Sequence, residues 1–296
     1  MALQKLAHAV LKVQEMEPSL QFHTEVLGLR EVERSGDTIY LGCGVDDNYD
    51  VALVQGGTGV VDFAFQVESE DDLQHYARRI SNLGMKGDMI SDHEPGELKA
   101  LRFTLPSGHT MELVLVKDRP HYFNPALPRH RRLKGIAPLD VDHITLRAGD
   151  KVKEVCEFLQ QVLDFQIADV FSPAPGVWAA AWTHVADYHH DLAIMGGPPS
   201  NTLDHLAWTM TSFEHIRQGA DVLMQAGIPL ETGPGRHGIG GNLYAYFWAP
   251  GGNRYELSAD MSRAVDRKAP TNFWSDFPKA FSAWGALPPP SFEHGS

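Results

Sequence analysis

The chain has 296 residues, 43% hydrophobic and 21% charged, an ordinary globular composition that excludes intrinsic disorder and leads us to expect two domains. Lys and Arg total 25 against 38 Asp and Glu, a net charge of −13, so nucleic acid and an anionic membrane surface are poor partners, since phosphate contacts need a basic face. Two cysteines, Cys43 and Cys156, are too few for a disulfide framework, and no apolar run is long enough to span a bilayer.

Lys5 and Lys12 interrupt the N-terminal stretch MALQKLAHAVLKV, unlike the uncharged core of a signal peptide, and we expect a cytoplasmic protein. The same stretch reads as a strand with Leu6, His8 and Val10 on one face. A helix follows over 17–28, with Pro18 in its first turn and Gly28 as its stop, then a Gly-bounded strand at 38–44. GVVDFAFQV and ESEDDLQHYARRISNLG repeat the strand–helix order. DHEPGE (92–97) and HYFNP (121–125) read as solvated loops. Residues 119–138 hold four prolines and a basic cluster, PRHRRLKG, and read as an interdomain linker, the cluster being solvated or an oligomer contact. The second half begins with a strand that puts Val141, His143 and Thr145 on one face. It continues with a helix over 151–165, a strand at 176–182, and TLDHLAWTM followed by SFEHIRQGADVLMQAG. The tail fits no repeat, and its aromatics Phe273, Trp274, Phe277, Phe281 and Trp284 suggest that it docks on something.

The halves are related. KLAHAVLKV parallels DVDHITLRA at an offset of 135, YDVALVQGG parallels HHDLAIMGG at 140, and PSGHTMEL parallels PGGNRYEL at 144. Three matches in one order point to duplication. We expect an α+β protein of two tandem domains, each of two βαβββ modules forming a curved, barrel-like mixed sheet. The boundaries fall at 1–118, a linker at 119–138, a second domain at 139–262 and the tail at 263–296.

His143, His205 and Glu256 fall on three expected strands of the second half, each amid apolar residues. Two imidazoles and one carboxylate on one face leave three adjacent octahedral positions open, the facial triad of non-haem Fe(II) oxygen chemistry. The first half keeps His8 and Glu112, but Phe63 stands where His205 would be; phenylalanine is no ligand, and that site is expected to be empty.

At these residues the chain resembles the type I extradiol ring-cleaving dioxygenases of the vicinal oxygen chelate superfamily, the catechol 2,3-dioxygenase type, from about residue 4 to 262. Their signature reads here GRHGIGGNLYAYFWAPGGNRYE, with Gly235, His237, Tyr246, Ala249, Pro250, Gly252 and Glu256 in register. Ala245 departs from the larger aliphatic residue usual before the tyrosine, a difference of packing. The GPGRHG segment is closest to homoprotocatechuate 2,3-dioxygenases. The resemblance implies His143, His205 and Glu256 as metal ligands, Fe(II) by default with Mn(II) an alternative, and a catechol and O2 as substrates. Both oxygen atoms would enter beside the diol to give a 2-hydroxymuconic-semialdehyde-type product, in the catabolism of aromatic compounds. A homo-oligomer, dimer or tetramer, is also implied.

By the same resemblance His190 is the acid–base residue, and imidazole is the side chain whose ordinary pKa permits both roles near neutrality. His189 competes for the position, but strand alternation sends neighbours to opposite faces. His237 and Tyr246 match residues that hydrogen-bond substrate oxygens. Trp182 walls the pocket or packs in the core, and His184 has no assigned role. Homoprotocatechuate enzymes have an arginine where this chain has Thr232, and Arg236 is expected to point away from the metal, so the catechol substituent is expected to be uncharged or differently placed. Two competing readings share the fold. A glyoxalase-like isomerase or epimerase draws ligands from both halves, which Phe63 opposes; a non-catalytic aromatic-binding module lacks a full triad.

Overall fold

The computed structural model describes residues 3–119, 130, 133–266 and 268–296; most of the expected linker, including HYFNP, lies outside the described residues. The first half contains β1 (Leu3–Val13), β2 (Arg30–Ser35), β3 (Thr38–Gly42), β4 (Val51–Gln55), β5 (Val60–Val67), β6 (Gly87–Ser91), β7 (Glu97–Thr104) and β8 (Thr110–Val116). They form one sheet in the order β2-β3-β4-β1-β5-β8-β7-β6. The second half contains β9 (Val141–Gly149), β10 (Gln166–Phe171), β11 (Ala180–His184), β12 (Leu192–Thr209), β13 (Leu230–Arg236), β14 (Leu243–Trp248), β15 (Arg254–Ala259) and β16 (Asn272–Trp274). Its sheet runs β13-β14-β15-β12-β11-β10-β16, with β9 against β12.

In the first half β1 is flanked by β4 and β5; in the second, β12 alone flanks β9 twice, pairing first from Leu192↔Ile144 and, after turning back, from Thr202↔Arg147 to Trp208↔Val141. With the helices α1 (Met16–Gln21), α2 (Glu70–Asn82), α3 (Val152–Leu163) and α4 (Phe213–Gln225), this makes four βαβββ modules and the vicinal oxygen chelate fold. The hydrogen bonds refine the duplication. Asp50 accepts from the Cys43 amide and Asp191 from the Val185 amide, each just ahead of a strand that pairs with Ala9 or its counterpart Ile144. The two aspartates are thus equivalent at an offset of 141, and Tyr49 corresponds to His190.

The helices form where caps and periodicity agree. The Ser69 hydroxyl accepts from the Asp72 amide, three acids occupy the first turn of α2, and Leu73, Tyr76 and Ile80 turn inward. The helix expected over 17–28 divides: α1 ends at Gln21 and Phe22–Leu27 winds as a wider π-turn, stopped by Gly28 at φ +89°. That turn buries His23 between the Ser19 carbonyl and the Tyr255 hydroxyl of the other half, both at 2.6 Å. One apolar core runs through both sheets, with Phe65 of one half against Phe165 of the other. Among the described residues no helix is long and apolar enough to cross a membrane.

Candidate metal centre and active site

Three neighbouring strands deliver the triad: His143 from β9, His205 from β12 and Glu256 from β15. Oε2 of Glu256 lies 3.2 Å from Nε2 of His143 and 3.2 Å from Nε2 of His205, and the two nitrogens are 3.4 Å apart. With bonds of about 2.1 Å, adjacent ligands on an octahedron sit about 3.0 Å apart, so the gap accepts one ion with little adjustment. Oε1 of Glu256 accepts from the Asn242 amide at 3.0 Å, whereas Oε2 has no hydrogen-bond donor despite complete burial. Such an orphan acceptor is a cost of about 1–3 kcal/mol unless a cation meets it. The site therefore fits a divalent metal.

The imidazoles are aimed by carboxylates. Nδ1 of His143 donates to Asp142 at 2.6 Å and Nδ1 of His205 donates to Asp204 at 2.8 Å, which turns both Nε2 atoms to the centre. Asp204 in turn meets Arg147 at 2.7 Å and Arg254 at 3.4 Å, both buried. Burial opposes a charge on His143, but Glu256 and Asp142 outweigh it and raise its pKa to about 10. Burial would likewise raise Glu256, yet His143 and His205 hold it far below the usual carboxylate range. The pocket attracts positive charge at the point where the three ligand atoms converge.

A cavity of about 220 Å³ opens beside the triad, lined also by His190, His237, Tyr246 and Trp182. The His190 ring stands 4.3 Å from that of His143, and burial followed by the surrounding imidazoles pushes its pKa well down. His189 and His190 lie in the loop before β12, so strand alternation does not separate them; bonding does. His189 donates from Nε2 to Asp169, and its Nδ1 meets Nδ1 of His190 at 3.0 Å. The competitor read from sequence is thus a partner, linking His190 to a carboxylate. The Phe281 carbonyl at 2.7 Å can only accept, so it fixes the proton of His237 on Nδ1, and Nε2 takes the Tyr246 hydroxyl at 2.9 Å. Burial, with Glu256 adding to it, lifts the Tyr246 phenol well above its ordinary pKa and keeps it a neutral donor. His184 faces away, its Nδ1 on the Ala186 carbonyl. Arg236 also turns out, to the Gly241 carbonyl and Asp260.

The tail roofs this cavity with Phe277, Phe281, Pro288 and Phe292. Asp169 accepts from Asn272 and Trp274, and Arg147 and Arg254 donate to backbone carbonyls of 291–293. A Cβ at Gly238 would lie 1.7 Å from the Lys279 carbonyl oxygen, which is why the signature segment is bare where the tail crosses it.

The first-half counterpart of the centre is rearranged. On the β7–β8 ladder Arg102 stands opposite Glu112 as Tyr246 stands opposite Glu256, and it salt-bridges that carboxylate and Asp62. Phe63 is core, edge-on to Phe65, while Asp62 shares the face of His8 and Val10. The DHEPGE segment departs from a solvated loop: Glu97 is 1% exposed, and both Glu94 and Glu97 turn inward to His8. Of the residues that sequence reasoning missed, Asp142 and Asp204 had a signal, an aspartate directly before each of His143 and His205. Asn242 and Asp169 had none.

Residues 140–257 match the Glyoxalase/Bleomycin resistance protein/Dioxygenase superfamily, and residues 61–118 the catechol 2,3-dioxygenase-like N-terminal domain. A manganese-dependent 2,3-dihydroxybiphenyl 1,2-dioxygenase of Geobacillus genomosp. 3 is 30% identical over 265 residues, 86% of this chain and 84% of that one. A metapyrocatechase from a Pseudomonas species is 29% identical, covering 84% of each chain. Among solved structures, the 2,3-dioxygenase LapB of a Pseudomonas species superposes with a TM-score of 0.85 at 24% identity, over 93% of this chain and 98% of that one. A variant of homoprotocatechuate 2,3-dioxygenase from Brevibacterium fuscum gives 0.88 at 25%, over 98% and 81%.

Proposed function

The chain belongs to the extradiol ring-cleaving dioxygenases, metal-dependent enzymes that open an aromatic ring beside a diol, and on that premise we propose that residues 139–262 carry the reaction with His143, His205 and Glu256 as metal ligands. The observation that carries this assignment is the buried Oε2 of Glu256, without a donor, between two imidazoles whose far nitrogens are held by Asp142 and Asp204. We take Fe(II) as the resident ion, with Mn(II) the competitor suited to the same ligands. Bound there, the ion would offer both catechol oxygens and O2 adjacent positions.

His237 and Tyr246 receive the substrate oxygens. Substrate oxygens would replace the bond between Tyr246 and His237: the Tyr246 hydroxyl turns to donate to one of them, and the freed Nε2 of His237, with its other nitrogen locked on the Phe281 carbonyl, takes a proton from the diol. His190, neutral in the dry cavity, takes and returns a proton during ring opening, and His189 with Asp169 keeps its ring in place. Trp182 walls the ring-binding space. None of the described residues lining the cavity is Lys or Arg, and Phe171, Met195, Ile239 and the tail aromatics make its walls apolar. With Thr232 in place of an arginine, the substrate is a catechol bearing an uncharged alkyl or aryl group. A cytoplasmic homo-oligomer is part of the same reading.

The test is anaerobic loading with Fe(II), addition of a catechol panel, then admission of O2 while uptake and yellow product are followed. One O2 consumed per catechol, fastest with alkyl or aryl catechols and lost in His143→Ala, is the expected result. Faster turnover of a carboxylated catechol would refute the substrate class. No uptake from metal-loaded protein would overturn the oxygenase assignment in favour of the isomerase.

A further inference from the structure

The first half keeps His8 where the second half has His143, but the carboxylate it faces is not the expected one. Arg102 occupies Glu112, and Nε2 of His8 instead lies 3.6 Å from Glu94 and 3.6 Å from Glu97. The three potential ligand atoms are all within 4.8 Å of one another. Two observations separate the group from an ordinary acidic patch. Nε2 of His8 and both carboxylate oxygens of Glu97 have no hydrogen-bond partner, although the two side chains are only 3% and 2% exposed. Among the described residues no Lys or Arg forms an ion pair with Glu94 or Glu97, the nearby Arg102 being engaged by Glu112 and Asp62.

The surroundings hold this group in place. The Tyr49 hydroxyl donates to Glu94, and its ring stacks 4.3 Å from His8, the same separation that His190 keeps from His143. Beside His8, Tyr49 and Glu97 lies a cavity of about 20 Å³, room for one water or ion and for no organic ligand. Buried carboxylates need a counter-charge or a proton. We propose that His8, Glu94 and Glu97 bind a second divalent cation, in the half of the chain that lacks the catalytic centre. One imidazole and two carboxylates suit Mn(II), Fe(II) or Zn(II). For bonds of about 2.1 Å a tetrahedral ligand edge is about 3.4 Å, near the two spacings of 3.6 Å. With no room for substrate, the ion is structural and ties β1 to the segment entering β7.

This inference stands apart from the ring-cleavage reading, and counting ions tests it. Full-length protein is stripped with chelator, equilibrated by dialysis with Mn(II), and its bound metal counted by elemental analysis, beside His143→Ala and Glu97→Gln. Two ions per wild-type chain and one in each variant are expected, with ring cleavage lost in His143→Ala and kept in Glu97→Gln. One ion in the wild type and none in His143→Ala would mean that Glu97 carries a proton instead, overturning the proposal. Two ions in Glu97→Gln would put the extra ion elsewhere and overturn it equally. Should Glu97→Gln fail to fold, the His143→Ala count decides alone: one ion sustains the site and none refutes it.

Discussion

Replacing Asp204 by asparagine removes one charge and disturbs three contacts at once. Its carboxylate accepts from Nδ1 of His205 at 2.8 Å and meets Arg147 at 2.7 Å and Arg254 at 3.4 Å, in a place where all four side chains are under a tenth exposed. Burial alone would raise its pKa, but His205 and the two guanidiniums hold it below the ordinary value, so the native group is charged. Arg254 keeps Glu231 at 2.7 Å, whereas Arg147 has no second carboxylate among the described residues. Stranding one buried cation costs about 3–5 kcal/mol. Losing the carboxylate that orients a ligand histidine lowers metal affinity about 10- to 100-fold, or about 1.4–2.7 kcal/mol. Urea unfolding of the metal-free protein measures the first effect and chelator competition for Mn(II) the second. Asp142→Asn supplies the control: its carboxylate bonds His143 and Thr209 and pairs with no arginine among the described residues, so affinity falls as far while stability falls much less. Equal stability losses in the two variants, or an unchanged affinity in Asp204→Asn, would refute this account.

Two further outcomes are expected. Asp169→Asn or His189→Ala leaves bound metal at wild-type level and lowers kcat about tenfold or more, because His190 loses the contact that fixes its ring; stopped-flow turnover with metal analysis checks this, and unchanged kcat would dismiss the relay. Deleting residues 266–296 frees Nδ1 of His237 from the Phe281 carbonyl and opens the cavity roof, so kcat/KM falls by at least about tenfold; full activity in the truncated chain would remove the tail from the site.

The duplication, the βαβββ order and the convergence of His143, His205 and Glu256 were legible because each is a pattern in the chain: repeated segments, period-two faces and polar residues amid apolar strands. What escaped reading lies in contacts between distant positions. Asn242 reaches Glu256 because the turn before β14 folds back on β15, and Asp169 meets His189 across twenty residues of chain. The first half departs from expectation for the same reason. The alignment put Phe63 opposite His205, but the pairing of Val10 with Asp62 turns the phenylalanine to the core, and the carboxylates that reach His8 come from a segment whose composition resembles a solvated loop. Strand alternation separates adjacent residues only on a strand, so it does not apply to His189 and His190, whose rings are turned by their hydrogen bonds.

Arg102 and Tyr246 occupy matching places on their ladders, and the difference between them divides the fates of two sister carboxylates. Glu112 has its counter-ion built into the polypeptide, delivered with every copy the ribosome makes. Glu256 must recruit its own from the cell. Under metal starvation the two carboxylates therefore differ: Glu112 keeps its guanidinium, while Glu256 waits as a buried negative charge between two imidazoles.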